Sequence, residues 1–155
     1  MAYKEYNNID IRIARIFNTY GPFMDEKDGR VVSNFIVQSL RNEPLTIYGD
    51  GSQTRSFCFV DDLVDGLIRL INSNFDEPVN LGNPIEYKIS ELASIVSDMV
   101  GNHNSIINSS LPQDDPIRRK PDISRAKKVL NWEPKIKLEE GLKNTIKWFQ
   151  EVISQ

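Results

Sequence analysis

The chain has 155 residues, of which 39% are hydrophobic and 26% charged, and it carries a net charge of −3. This is the composition of a globular chain long enough to bury a core, without the basic field that attracts nucleic acid. Cys58 is the single cysteine, which excludes an internal disulfide; no apolar run could span a bilayer, and residues 1–10 lack the apolar stretch of a signal peptide, so the expectation is one cytoplasmic domain over residues 1–155 with no membrane partner.

Residues 2–7 read as the end of a helix. Ile9, Ile11 and Ile13 alternate with Asp10 and Arg12, the period of a strand. That strand runs into the turn-rich Phe17-Asn18-Thr19-Tyr20-Gly21-Pro22, and residues 24–29 form a polar loop. Val32, Phe35, Ile36, Ser39 and Leu40 recur at helical spacing, which predicts a helix over 31–42, stopped by Pro44. Residues 45–48 read as a short strand, Gly49-Asp50-Gly51 as a hairpin turn, and 54–60 as a second strand rich in β-branched and aromatic side chains.

Asp61 or Asp62 is expected to cap the next helix, which carries Leu63, Val64, Leu67, Ile68 and Ile71 and leaves Arg69 on an exposed face. A short buried strand follows at 78–81. Ser90 is expected to cap a helix with Leu92, Ile95, Val96 and Met99, ended by Gly101. Residues 105–109 read as an edge strand and 111–122 as a long polar loop. Asp122 caps a short helix ending near Asn131, Trp132-Glu133-Pro134 breaks the chain, and Leu138, Leu142, Ile146, Phe149 and Ile153 form the stripe of a last helix. Strands and helices alternate, which is the pattern of an α/β fold.

Several chemistries are missing from the sequence. Gly49-Asp50-Gly51 begins like a dinucleotide-binding glycine loop, but Thr54 stands where its last glycine belongs, and a strand follows it. None of Tyr3, Tyr6, Tyr20, Tyr48 and Tyr87 is followed at the fourth position by lysine. With one histidine and one cysteine, no zinc site of those ligands can be built. His103 reads as a solvated turn residue, Cys58 as packing, and Trp132 and Trp148 as packing rather than stacking platforms. What remains is a set of polar and cationic residues next to turns. Asn18 and Thr19 follow a strand, where ligands bind in open α/β sheets. Arg30 opens a helix, Arg55 follows the glycine turn, and Arg119 lies in the long loop. If these guanidiniums converge, their planar forks suit a diphosphate.

The motifs resemble those of UDP-glucuronate decarboxylases, extended short-chain dehydrogenases of the NAD-dependent epimerase/dehydratase family. The similarity runs through Arg15-Ile16-Phe17-Asn18-Thr19-Tyr20-Gly21-Pro22 and Asp28-Gly29-Arg30-Val31-Val32-Ser33-Asn34-Phe35. It continues through Pro44-Leu45-Thr46-Ile47-Tyr48-Gly49-Asp50-Gly51-Ser52-Gln53-Thr54-Arg55, Val60-Asp61-Asp62-Leu63 and Pro78-Val79-Asn80-Leu81-Gly82-Asn83-Pro84. Gln113-Asp114-Asp115-Pro116-Ile117-Arg118-Arg119-Lys120-Pro121-Asp122 and Trp132-Glu133-Pro134 complete it, while residues 23–27 depart from the family pattern.

The resemblance implies the C-terminal portion of such a protein: the last Rossmann strands and a small α/β substrate-binding domain, without the N-terminal NAD-binding half. In that family NAD takes a hydride from C4 of the sugar while a Tyr–Lys pair takes the proton, the resulting 4-keto acid loses CO₂, and the ketone is reduced back to give UDP-xylose. The implied substrate-binding residues are Tyr3, Asn18, Arg30, Leu45, Thr46, Tyr48, Arg55 and Arg119, with Leu45, Thr46 and Tyr48 at the uracil and Arg55 and Arg119 at the diphosphate. Thr19 and Arg30 would lie near the cofactor, and Arg119 is a candidate proton donor to the enolate. NAD is expected in the intact family but not on this chain alone, whose glycine loop and Tyr–Lys pair are missing. The expectation is a truncated or split decarboxylase, inactive alone, that binds a UDP-sugar and pairs with itself or with a chain supplying the N-terminal half. The alternatives are a non-catalytic UDP-sugar-binding or assembly module, or a fragment of a related epimerase or 4,6-dehydratase.

Overall fold

The computed structural model describes residues 9–103, 105–110 and 118–154. The expected helix end at 2–7, Tyr3, and loop residues 111–117 lie outside this set. The chain alternates nine short strands with five helices among the described residues. β1 (Ala14–Ile16) pairs in parallel with β6 (Val79–Leu81), β2 (Thr19–Tyr20) with β5 (Cys58–Phe59), and β3 (Leu45–Tyr48) with β8 (Ile106–Ser109). β4 (Thr54–Ser56) is central in a three-stranded sheet, antiparallel to β7 (Glu86–Lys88) and parallel to β9 (Arg118–Arg119). The helices are α1 (Val31–Leu40), α2 (Val60–Ile71), α3 (Ile89–Val100), α4 (Ser124–Leu130) and α5 (Leu138–Ile153).

Successive strand side chains point to opposite faces, and β5 uses this to separate two cores. Phe57 and Phe59 join Phe35, Ile36, Leu45, Ile47, Leu92, Val96, Leu142 and Phe149 in one cluster. Cys58, between them, joins Leu63, Leu70, Val79, Leu81, Leu130 and Trp132 in the other. The stripe on α5 is as expected, with Leu138, Leu142, Ile146 and Phe149 buried. Its close approach to Tyr20 requires Gly141: a Cβ there would lie 2.2 Å from the Tyr20 Oη. The Tyr20 hydroxyl donates to the Leu138 carbonyl at 3.2 Å. Gly101 ends α3 at φ 77°, in the left-handed conformation its position demands.

Several expectations are corrected. The strand expected from Ile9 into Phe17 forms only in its second half: ladder geometry runs from Ala14 to Ile16, opposite Val79–Leu81, and residues 9–13 stay outside it. The segment 54–60 divides at Phe57 into β4 and β5, which belong to different sheets, and Val60 already starts α2. Gly49 and Gly51 do take positive φ, 73° and 76°, yet the turn makes no hairpin, since β3 and β4 pair with other strands. Asp61, Asp62 and Ser90 sit inside first helical turns; the N-cap positions are Phe59 and Lys88. Asp62 has a different task. Its Oδ2 accepts the backbone N–H groups of Lys135 and Ile136 at 3.0 and 2.9 Å, and its carbonyl accepts the Trp132 Nε1–H at 2.9 Å. The N-cap of α4 is Ile123 and not Asp122, whose Oδ1 accepts the Ser124 N–H at 2.8 Å. Arg69 is not an idle surface residue: it pairs with Asp65 at 2.9 Å and donates to the Asn131 carbonyl at 2.9 Å, tying α2 to the end of α4. His103 is exposed, and Cys58 and Trp132 are buried, as expected. Among the described residues no helix is long and apolar enough to cross a membrane.

Candidate functional site

The site is assembled where β2, β3, β4 and β9 meet the start of α1. They enclose a cavity of about 370 Å³, within the size range of small-molecule sites. Asn18, Thr19, Arg30, Thr46, Tyr48, Arg55 and Arg119 all line it, so the structure brings together these residues picked out from the sequence. Leu45 does not join them: it is 1% exposed, in the core beside Ile47. The alternation of β3 accounts for this, turning Thr46 and Tyr48 to the cavity and Leu45 and Ile47 inward. Tyr3 lies outside the described residues.

Several of these residues are held from behind. The Cys58 N–H donates to the Asn18 carbonyl at 2.9 Å, which fixes the start of β2 against β5. Thr19 Oγ1 donates to the Phe17 carbonyl at 2.9 Å. Gln38 on α1 grips Thr46, donating to its Oγ1 and accepting its N–H, both at 3.1 Å. Arg30 stands at the N-cap of α1; its N–H donates to Asp28 Oδ1 at 2.9 Å and its Nη1 to the Thr19 carbonyl at 3.4 Å. Arg55 is 7% exposed and donates from Nη1 to the Thr54 carbonyl at 2.8 Å. The register of β4 and β9 sets Arg119 directly beside Arg55.

Sequence reasoning missed Gln53, Met24, Phe57 and Ile89, which also line the cavity. Gln53 is 8% exposed and donates from Nε2 to the Tyr48 carbonyl at 2.6 Å, closing the glycine turn under the site. Its position just after Gly-Asp-Gly was a signal that a turn must be braced. Nothing in the apolar periodicity marked Phe57 and Ile89 as cavity wall rather than core.

The resulting chemistry is one-sided. Three guanidiniums and the N–H end of α1 face the cavity, and no carboxylate, histidine or cysteine of the described residues lines it. Such a site favours an anion with several oxygens. The apolar edges of Met24, Phe57 and Ile89 can cover a flat ring. No group of three or more metal-ligating side chains occurs among the described residues. A second cavity, about 720 Å³, shares Thr19, Met24 and Arg30 with the first but carries Asp25, Asp28 and Asp61 in its wall. Those carboxylates would repel the pyrophosphate of a dinucleotide at that cavity.

In open α/β sheets ligands bind at the carboxyl ends of the strands, and the cationic cavity lies among such strands. The model of the NAD dependent epimerase/dehydratase family matches residues 1–82, more than half of the chain, and the chain belongs to that family. It is similar to UDP-glucuronic acid decarboxylase 1 of Xenopus tropicalis, 54% identical over 149 residues that make up 96% of this chain and 35% of that protein. UDP-glucuronic acid decarboxylase 3 of Arabidopsis thaliana is 57% identical over 140 residues, 90% of this chain and 41% of that protein. Among solved structures, the UDP-glucose 4-epimerase of Thermotoga maritima with UDP-glucose matches with a TM-score of 0.93 and 28% identity over 98% of this chain and 50% of its own. The chain thus spans 35% and 41% of the length of these decarboxylases and half of that epimerase.

Proposed function

We propose that the cavity binds the UDP part of UDP-glucuronate, and that the chain corresponds to the C-terminal, substrate-holding part of a UDP-glucuronate decarboxylase. The observation that carries this is the side-by-side pair Arg55 and Arg119 in a cavity free of carboxylates among the described residues. In this reading the two guanidiniums take the diphosphate oxygens, and Arg30 and the start of α1, which also line the cavity, add positive potential. Thr46 and Tyr48 border the uracil. In the same reading Asn18 orients the link between diphosphate and sugar, and Arg119 gives a proton to the enolate left by CO₂ loss.

NAD is the hydride acceptor in the family, and the residues present do not fit it, so no redox step is assigned to this chain. Decarboxylation then needs an NAD-binding half in addition to these 155 residues. The isolated chain should release no CO₂ from UDP-glucuronate, and turnover at a rate like that of a complete decarboxylase would refute the division of labour.

Titration calorimetry tests the binding itself. Arg55→Ala and Arg119→Ala should each weaken UDP binding by about 1.5–3 kcal/mol, the value of a charge-assisted hydrogen bond. Lys143→Ala, on the exposed face of α5, should change nothing. UDP and UDP-glucuronate should bind within about ten-fold of each other, since both share these contacts. Absence of UDP binding by the parent chain, or equal losses in all three variants, would overturn the proposal.

A further inference from the structure

β9 is two residues long and places a guanidinium directly beside that of Arg55. Like charges on facing strand positions repel, so this strand needs an attachment elsewhere. The alternation of the β7–β4–β9 sheet supplies one. Arg55, Arg119 and Tyr87 share one row of the register; Thr54 and Arg118 form the next, and Ser56 faces Glu86. The two rows point to opposite faces, so the pair that lines the cavity has a second set of side chains at its back.

There Glu86 is the hub. Its Oε1 accepts the Arg118 Nε–H at 2.7 Å and the Thr54 hydroxyl at 2.9 Å. Its Oε2 accepts from Arg118 Nη2 at 2.5 Å and lies 3.5 Å from Lys120 Nζ. The arginine is therefore held bidentately, the geometry that fixes direction as well as distance. The Glu86 side chain is only 17% exposed. The hydrogen bonds of Arg118, with that of Thr54 and the charges of Arg118 and Lys120, hold its carboxyl down at about 2 against the opposing effect of desolvation. Ser56 adds a hydrogen bond from Oγ to the Arg119 carbonyl at 3.2 Å.

We propose that Glu86 is a positioning residue for the cavity: by gripping Arg118 and Lys120 on the reverse of the sheet, it holds β9 in register and keeps Arg119 beside Arg55. This rests on the reading of the cavity as a diphosphate site. It makes a prediction whose sign is opposite to that of charge alone. A carboxylate near an anion site repels the ligand, so its removal should tighten binding if Glu86 acted only through its charge. If Glu86 acts as a brace, its removal loosens Arg119 and weakens binding.

The experiment compares the parent chain, Glu86→Gln, the charge-exchanged double variant Glu86→Lys with Arg118→Glu, and Glu140→Gln, which removes a carboxylate from the exposed face of α5. UDP affinity is measured by calorimetry at fixed ionic strength, and amide hydrogen exchange of β9 by mass spectrometry without ligand. Glu86→Gln should bind UDP about ten-fold more weakly and exchange faster at β9. The double variant should recover most of both, and Glu140→Gln should match the parent. Tighter or unchanged UDP binding by Glu86→Gln would overturn the proposal, as would failure of the exchanged pair to recover. If the parent does not bind UDP at all, the diphosphate reading falls, and the exchange rates alone decide whether Glu86 braces β9.

Discussion

Cys58 and Tyr20 touch no candidate ligand, yet they set how the chain responds to alkali. Cys58 is fully buried, and burial, followed by the charge of Asp62, pushes its thiol up to about 12. Burial also raises the Tyr20 phenol far above its ordinary value, with Cys58 and Tyr87 adding to the effect. Both groups therefore keep protons in the folded chain that the unfolded chain releases, at about 8.5 for a thiol and 10 for a phenol. Their contribution to stability is complete below those values and is lost as pH rises toward the folded ones. The urea midpoint should fall between pH 8 and pH 10.5, and Cys58→Ala should show a shallower fall; a flat midpoint in the parent would contradict this. Cys58 should also resist thiol reagents until the chain unfolds. At Gly141 the constraint is steric instead. Gly141→Ala would drive a methyl into the Tyr20 ring and should cost about 1–3 kcal/mol in chemical denaturation.

At the scale of elements, the junctions matter more than the elements themselves. Asp62 links α2 to the segment before α5 through two backbone N–H groups and holds Trp132 through its carbonyl. Asp62→Ala would leave both N–H groups without their acceptor and should destabilise by about 2–3 kcal/mol in urea, with UDP affinity per folded molecule unchanged. This junction shows how far the sequence could be read. The helices were legible because α1, α3 and α5 each write their buried face at a period of 3.6, and Gly101 marks a true end. The strands were less so. Ile9, Ile11 and Ile13 alternate correctly, but a strand needs a partner, and that partner lies far along the chain. Asp61 and Asp62 have the composition of caps, and only tertiary geometry reveals that Asp62 serves another loop. In the site, the arginines could be named one by one, whereas their meeting depends on the register between β4 and β9, which no local pattern encodes. Leu45 and Thr46 read alike as strand residues until the core claims one of them.

At the scale of the whole molecule, the apolar residues left outside form a pattern. On α2, Val64, Ile68 and Ile71 are 45%, 53% and 68% exposed, one helical stripe facing away from both cores. Ile16 on β1 is 56% exposed, and β1 pairs with β6 alone among the described residues. An apolar stripe beside an open strand edge favours association. The chain should sediment as more than a monomer at high concentration, and Ile68→Lys should shift it toward the monomer; a clean parental monomer would count against this. The ladders have one more property in common. No strand pairs with its neighbour in sequence among the described residues: β1 reaches to β6, β2 to β5, β3 to β8, and β4 to β7 and β9. Every ladder must therefore close a long stretch of chain before its first hydrogen bond forms, and that entropy is lost before contacts repay it. Helical segments can flicker early, but no sheet can start locally. The chain should consequently fold slowly and in one concerted step, and a cut in any loop between partner strands would dissolve a ladder instead of freeing a stable subdomain.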